Sequence, residues 1–131
     1  MSEMARILLV EDNPTNLELM RYLLTHHGHH VESAQNGEDG VRLARQLRPD
    51  IVLCDLRMPY LDGYGLLKRV RADRGLDEVV VIAVTAYSMP DDRKRVAAAG
   101  FDGHLTKPIA PESVVGQVEG FIAAGRRNGS G

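Results

Sequence analysis

The sequence predicts an α/β fold in which a five-stranded parallel sheet is covered on both faces by helices, a doubly wound (βα)5 arrangement. Five short runs rich in β-branched residues, at positions 7–10, 31–34, 51–54, 79–84 and 101–106, recur along the chain. Each is followed by apolar residues at helical spacing. The runs are apolar almost throughout, as in Val79-Val80-Val81-Ile82-Ala83-Val84, which is the pattern of strands buried on both faces of a parallel sheet.

The first helix starts where Asn13 offers an N-cap and Pro14 suits the first helical position; Leu17, Met20 and Leu24 form its apolar stripe and Gly28 ends it. After the second strand, Val41, Ala44 and Leu47 repeat the period until Pro49 stops it. Leu66, Leu67 and Val70 follow the third strand behind Asp62-Gly63. The fourth helix, opening at Pro90 and running to Ala99, has only Val96 and alanines to bury, and Gly100 closes it in the C′ position. Pro111 opens the last helix, apolar at Val114, Val118, Phe121 and Ile122. Residues 1–124 are expected to form one domain, and the polar, glycine-rich residues 125–131 a disordered C-terminal tail.

With 131 residues the chain is long enough to bury a core without disulfides or a structural metal, and its single cysteine cannot form an internal bridge. Sixteen Lys+Arg against 18 Asp+Glu, a formal charge of −2 mixed in sign along the chain, argue against nucleic acid or an anionic membrane as the main partner. No signal-peptide pattern and no apolar run of membrane-spanning length occur, so a cytoplasmic protein is expected.

An open parallel sheet carries its site outside the carboxyl ends of the strands. There the first strand ends in Glu11-Asp12, the third in Asp55, the fourth in Thr85-Ala86 and the fifth in Lys107-Pro108. Taken singly, Glu11-Asp12 reads better as a solvated acidic turn, Lys107 as a surface lysine and Thr85 as a strand-end hydroxyl; it is their convergence that points to a site. Three carboxylates in one crevice repel one another unless a cation joins them, and a hard divalent ion such as Mg2+, which takes oxygen ligands, suits them. Asp55, with no neighbouring base, is suited to carboxylate attack on phosphorus. The ammonium of Lys107, the hydroxyl of Thr85 and backbone N–H groups would neutralise the phosphoryl oxygens.

These residues, with the segment Asp55-Leu56-Arg57-Met58-Pro59-Tyr60-Leu61-Asp62-Gly63, resemble the receiver domain of two-component response regulators in its chemotaxis-type, single-domain form. The resemblance covers residue 6 to about residue 124 and implies a flavodoxin-like sheet of strand order 2-1-3-4-5. It further implies that Asp55 accepts a phosphoryl group from a histidine kinase or histidine phosphotransfer protein. Asp12, Asp55 and the backbone carbonyl of Arg57 would hold Mg2+, with Glu11 reaching it through water. Thr85 and Lys107 would bind phosphoryl oxygens, and the Lys107-Pro108 peptide would be cis. Such a protein is not an enzyme on other substrates: it catalyses only its own phosphorylation and dephosphorylation, and signals to a downstream protein as a monomer or weak dimer. A phosphorelay shuttle and the receiver of a hybrid histidine kinase share these motifs. A haloacid-dehalogenase-type phosphatase is a remote alternative, because it needs a second Asp where Arg57 stands; a flavin-binding module would suffer repulsion of phosphate by Glu11-Asp12.

His104 departs from the family, which usually carries Tyr or Phe three residues before the lysine; it is the candidate switch partner of Thr85, and equally an exposed edge-strand histidine. The readout face expected from the resemblance is formed by the fourth helix, fifth strand and fifth helix. Arg57 and Tyr87, two residues after Asp55 and Thr85, are large for positions flanking the path of attacking water and are expected to slow hydrolysis. The tract His26-His27-Gly28-His29-His30 looks like a metal motif but straddles a helix end and a strand start, so a structural role is expected. Cys54 reads as a core thiol.

Overall fold

The computed structural model describes residues 4–86 and 90–126. Its elements alternate as β1 (Arg6–Val10), α1 (Pro14–His26), β2 (His30–Ala34), α2 (Gly37–Leu47), β3 (Ile51–Asp55), α3 (Gly63–Ala72), a 3-10 turn (Arg74–Leu76), β4 (Val80–Thr85), α4 (Pro90–Ala99), β5 (Gly103–Thr106) and α5 (Pro111–Ala124). All strands are parallel, in the order β2-β1-β3-β4-β5. This is the architecture and strand order expected from the sequence.

Side chains alternate across the sheet and build two cores. Leu17, Met20 and Leu24 of α1 and Val114, Val115 and Val118 of α5 pack with Ile7, Leu9, Ile51, Leu53, Ile82 and Val84 on one face. Leu8, Val10, Val52, Val81 and Ala83 meet α2 through Val41 and Ala44 and α3 through Leu66, Leu67 and Val70 on the other. Asn13 and Asp62 cap α1 and α3 by accepting from the N–H groups of Asn16 and Gly65 at 3.0 and 2.9 Å. Helix α4 is the weak element: Val96 is its one buried side chain among the described residues, contributing about 2 kcal/mol where α1 buries three such groups.

Asp55 and Thr85 are the last residues of β3 and β4, at the strand ends where the sequence places them. Two local features differ from the sequence-based expectation. Strand β5 begins at Gly103, not at residue 101. Asp102 intervenes: its N–H donates to the Val81 carbonyl at 2.8 Å, and its carboxylate accepts from Val81 N–H at 2.9 Å and from Arg71 at 3.0 Å. A fully buried acid thereby replaces ladder bonds. The second difference is the 3-10 turn after α3, whose Leu76 is buried.

The histidine tract does not converge. His29 turns inward, where Nδ1 accepts from Ala5 N–H at 3.1 Å and Nε2 meets Glu119 of α5 at 2.8 Å. His30 points out to Glu32, His26 stacks on Tyr22 and His27 bonds the Leu23 carbonyl. Cys54 is fully buried, and burial pushes its thiol well above the ordinary range, as a core thiol requires. Arg126 donates to the Asp77 carbonyl at 2.6 Å, so the start of the expected tail is anchored; residues 127–131 lie outside the described residues, as do Tyr87 and its expected effect on hydrolysis.

The loop between β3 and α3 is held by two glycines. A Cβ on Gly37, at the start of α2, would strike the Leu61 carbonyl, and one on Gly65 would meet Leu61 Cδ1. Gly37→Ala normally favours a helix by 0.5 to 1 kcal/mol, but here backbone must move, so a net loss of about 1–3 kcal/mol is expected. Urea denaturation reads the sign: a stabilised variant would show that Leu61 does not dock against Gly37.

Candidate functional site

The carboxyl ends of β1, β3, β4 and β5 bring Glu11, Asp12, Asp55, Thr85 and Lys107 together. One carboxylate oxygen from each of Glu11, Asp12 and Asp55 lies within 4.8 Å of the others. Asp55 and Glu11 are buried, at 6% and 7% relative exposure, whereas Asp12 is exposed. Lys107 bridges the buried pair, with Nζ 2.9 Å from Asp55 Oδ2 and 3.2 Å from Glu11 Oε1. Arg57 N–H donates to Asp55 Oδ1 at 3.2 Å, and Asn13 N–H to Glu11 Oε2 at 3.1 Å. A cleft of about 150 Å³ opens in front of Asp55, lined by Arg57, Thr85, Ala86 and Lys107.

Electrostatics single out Glu11. Burial first, then a hydrogen bond to the Asp55 side chain and the Asp55 charge, raise its pKa from 4.5 to about 7, against the pull of Asn13 N–H and Lys107. Crowding of charge therefore falls on Glu11, buried beside Asp55. Burial alone would lower Lys107, but the hydrogen bond and charge of Asp55, then Glu11, outweigh it and hold the ammonium above the ordinary lysine value. Lys107 is thus a fixed cation. A half-neutralised oxygen cluster of this kind has the donor chemistry of a Mg2+ site, whose ligands are carboxylate, carbonyl and water oxygens.

Backbone geometry supports the arrangement. Lys107 N–H donates to the Thr85 carbonyl at 2.8 Å and Leu56 N–H to the Val84 carbonyl at 3.2 Å, locking the strand ends to one another. The Lys107-Pro108 peptide is cis, as the resemblance implies. In register, His104 pairs with Ala83 and Thr106 with Thr85. Alternation puts His104 and Thr85 on the sheet face that carries α2, α3 and α4. His104 is half-buried there.

Sequence reading missed two features. One is the docking of Leu61, signalled only by glycines at positions 37 and 65. The other is the Arg71–Asp102 pair, whose guanidinium also reaches the Leu76 and Val79 carbonyls at 3.2 and 2.7 Å. That pair ties α3 to the turn ahead of β5, and nothing in a single sequence links residues so far apart.

Comparison with known proteins agrees with this geometry. Residues 7–119 match the family model for the response regulator receiver domain. The chain is 38% identical over 120 residues to protein PilH of Pseudomonas aeruginosa, covering 92% of this chain and 99% of that one. It is 32% identical over 116 residues to the polar-differentiation response regulator DivK of Brucella anthropi, covering 88% and 94%. Among solved structures, the receiver domain of a sensor histidine kinase from Pseudomonas aeruginosa, with magnesium coordinated in its active-site cleft, superposes with a TM-score of 0.83. It is 34% identical over 92% of this chain and 99% of that one. A Vibrio cholerae chemotaxis protein superposes with a TM-score of 0.85 at 26% identity, over 91% and 99%. Domains of this family bind Mg2+ in an acidic site and work with histidine kinases and downstream targets. No described helix is long and apolar enough to cross a membrane. With the family model spanning most of its length and the acid cluster at the sheet's carboxyl edge, this chain belongs to the response regulator receiver domains, phosphoryl-accepting signalling modules rather than classical enzymes.

Proposed function

We propose that Asp55 is the phosphoacceptor of a cytoplasmic receiver domain spanning residues 1–124, which takes its phosphoryl group from a histidine kinase or a histidine phosphotransfer protein. The supporting observation is the placement of a buried Asp55 at the end of the central strand, against Glu11, Asp12 and a fixed Lys107 cation. An Asp55 oxygen attacks phosphorus, the P–N bond of the donor phosphohistidine breaks, and the leaving imidazole takes up a proton. Asp12, Asp55 and the Arg57 carbonyl would hold Mg2+ directly and Glu11 through water; when bound, the ion neutralises phosphoryl oxygens. Lys107 and the Thr85 hydroxyl bind the remaining oxygens, and Arg57 restricts the approach of hydrolytic water.

Thr85 moving toward the phosphoryl group would free space for the His104 ring and reshape the α4–β5–α5 face for a downstream protein. The low apolar content of α4 makes that face easy to move. The 34% identity to the receiver of a sensor histidine kinase favours, as a second reading, a phosphorelay shuttle or hybrid-kinase receiver with the same chemistry.

The test is phosphorylation by phosphoramidate with Mg2+, followed by borohydride reduction, which converts aspartyl phosphate to homoserine, and peptide mapping. One modification, at residue 55 and prevented by chelator, is expected. Modification elsewhere, or labelling undiminished by chelator, would overturn the assignment.

A further inference from the structure

Tyr60 is the most exposed large hydrophobic side chain among the described residues, fully in solvent, and its backbone is in the left-handed region at φ 71°. Leu61 N–H donates to the Pro59 carbonyl at 2.9 Å, closing a three-residue turn with Tyr60 at its centre. A turn of that hand is rare and strained for any residue with a Cβ, and more so for a bulky aromatic. Among the described residues the other non-glycine one at positive φ, Arg48, has an ordinary cause: it is the C-cap of α2, just before Pro49. Tyr60 ends no helix.

The rest of this loop is fixed. Gly63 N–H bonds the Leu56 carbonyl at 3.1 Å and closes the loop at its base. Leu56 and Met58 are buried, and Leu61 fills the notch between Gly37 and Gly65. The strained turn therefore sends Leu61 inward and holds the Tyr60 ring outward, five residues after Asp55. Glycine at this position would relieve the strain, and no packing or hydrogen bond of the fold accounts for an aromatic here. Strain kept where a relaxed residue would serve, in the loop that follows Asp55, marks a site where the side chain is used.

From this we infer that Tyr60 is a specificity-determining contact for the protein that delivers phosphoryl to Asp55, its ring entering an apolar socket beside the donor's phosphohistidine. The inference rests on the receiver reading above. Any protein donor must bring its histidine in line with Asp55, and so must cover the carboxyl edge of the sheet, where the loop that carries Tyr60 leaves β3. An exposed aromatic of low side-chain entropy, presented by a rigid loop, suits a hot spot of such an encounter.

The test separates the donor protein from the chemistry. Tyr60→Gly, Tyr60→Asn and Tyr60→Phe are compared with the unaltered chain, using phosphoramidate as the small donor. The protein donor is the purified, autophosphorylated kinase of the same organism that transfers fastest to the unaltered chain. Tyr60→Gly and Tyr60→Asn should melt about 2–4 °C higher and accept phosphoryl from phosphoramidate within about twofold of the original rate. Transfer from the kinase should fall about tenfold in kcat/KM, mostly through KM, and Tyr60→Phe should restore it. Unchanged kinase transfer in both Gly and Asn variants would overturn the inference, and so would an equal loss with phosphoramidate, which would make Tyr60 a support of the pocket. Failure of the unaltered chain to accept phosphoryl from either donor would instead overturn the receiver reading itself.

Discussion

Glu11→Gln should make the metal-free protein more stable at pH 8 by about 2–3 kcal/mol, on the order of 10 °C in Tm, and leave stability near pH 5 almost unchanged. The expectation comes from a buried acid whose pKa rises from 4.5 unfolded to about 7 folded. Between those values the folded state holds a proton that the unfolded state has released, so stability falls as pH rises from about 4.5 to about 7 and stays low above it. Glutamine keeps the shape and the hydrogen bond toward Asp55 without the charge, so it removes the fall. Chelator-treated protein, unfolded in urea at both pH values, measures this directly. A variant no more stable than the original at pH 8 would mean that Lys107 already compensates both carboxylates. Added Mg2+ should stabilise the original chain more at pH 8 than at pH 6, since a proton on Glu11 removes one of the negative charges that attract the ion.

Lys107→Met should cost about 2 kcal/mol at pH 8 and slow phosphorylation of Asp55 about 100-fold or more. Its ammonium lies 2.9 Å from Asp55 and 3.2 Å from Glu11, and methionine leaves two buried acids without their cation. The stability loss should shrink toward pH 5, where one proton shared by the pair does part of the work of the ammonium. A second substitution distinguishes structure from chemistry. In Lys107→Met/Glu11→Gln protein one of the repelling charges is gone, so urea unfolding should show stability largely recovered, whereas phosphoramidate labelling should stay slow because the phosphoryl oxygens still lack a cation. Labelling restored together with stability would assign Lys107 a purely structural role.

Both expectations depend on side-chain distances that no single sequence contains, whereas the identity of the site residues does not. Strand ends are readable because apolar runs stop where the chain leaves the sheet, and in a parallel sheet those stops lie along one edge. Asp12, Asp55, Thr85 and Lys107 follow from that rule, as does the order of helices and strands. The rule is local, and its errors are local too: β5 starts late because buried Asp102, held by Arg71 and Val81, takes over ladder bonds. His29 has the structural role expected of its tract, but the partners of its two nitrogens, Ala5 and Glu119, are decided only when distant parts of the chain fold around it.

Sequence by itself determined the five βα units, the two-sided burial of the strands and the set of groups at their carboxyl ends, because hydrophobic periodicity, caps and turn residues act over a few neighbouring positions. Only the tertiary structure decided that Glu11 is buried against Asp55 and bears a raised pKa, that Lys107 bridges Glu11 and Asp55, and that Leu61 docks between two glycines while Tyr60 is forced outward. Burial and distance set these outcomes. Desolvation and Coulomb energies change by kcal/mol over a few ångströms, and the groups involved come from elements far apart in the chain.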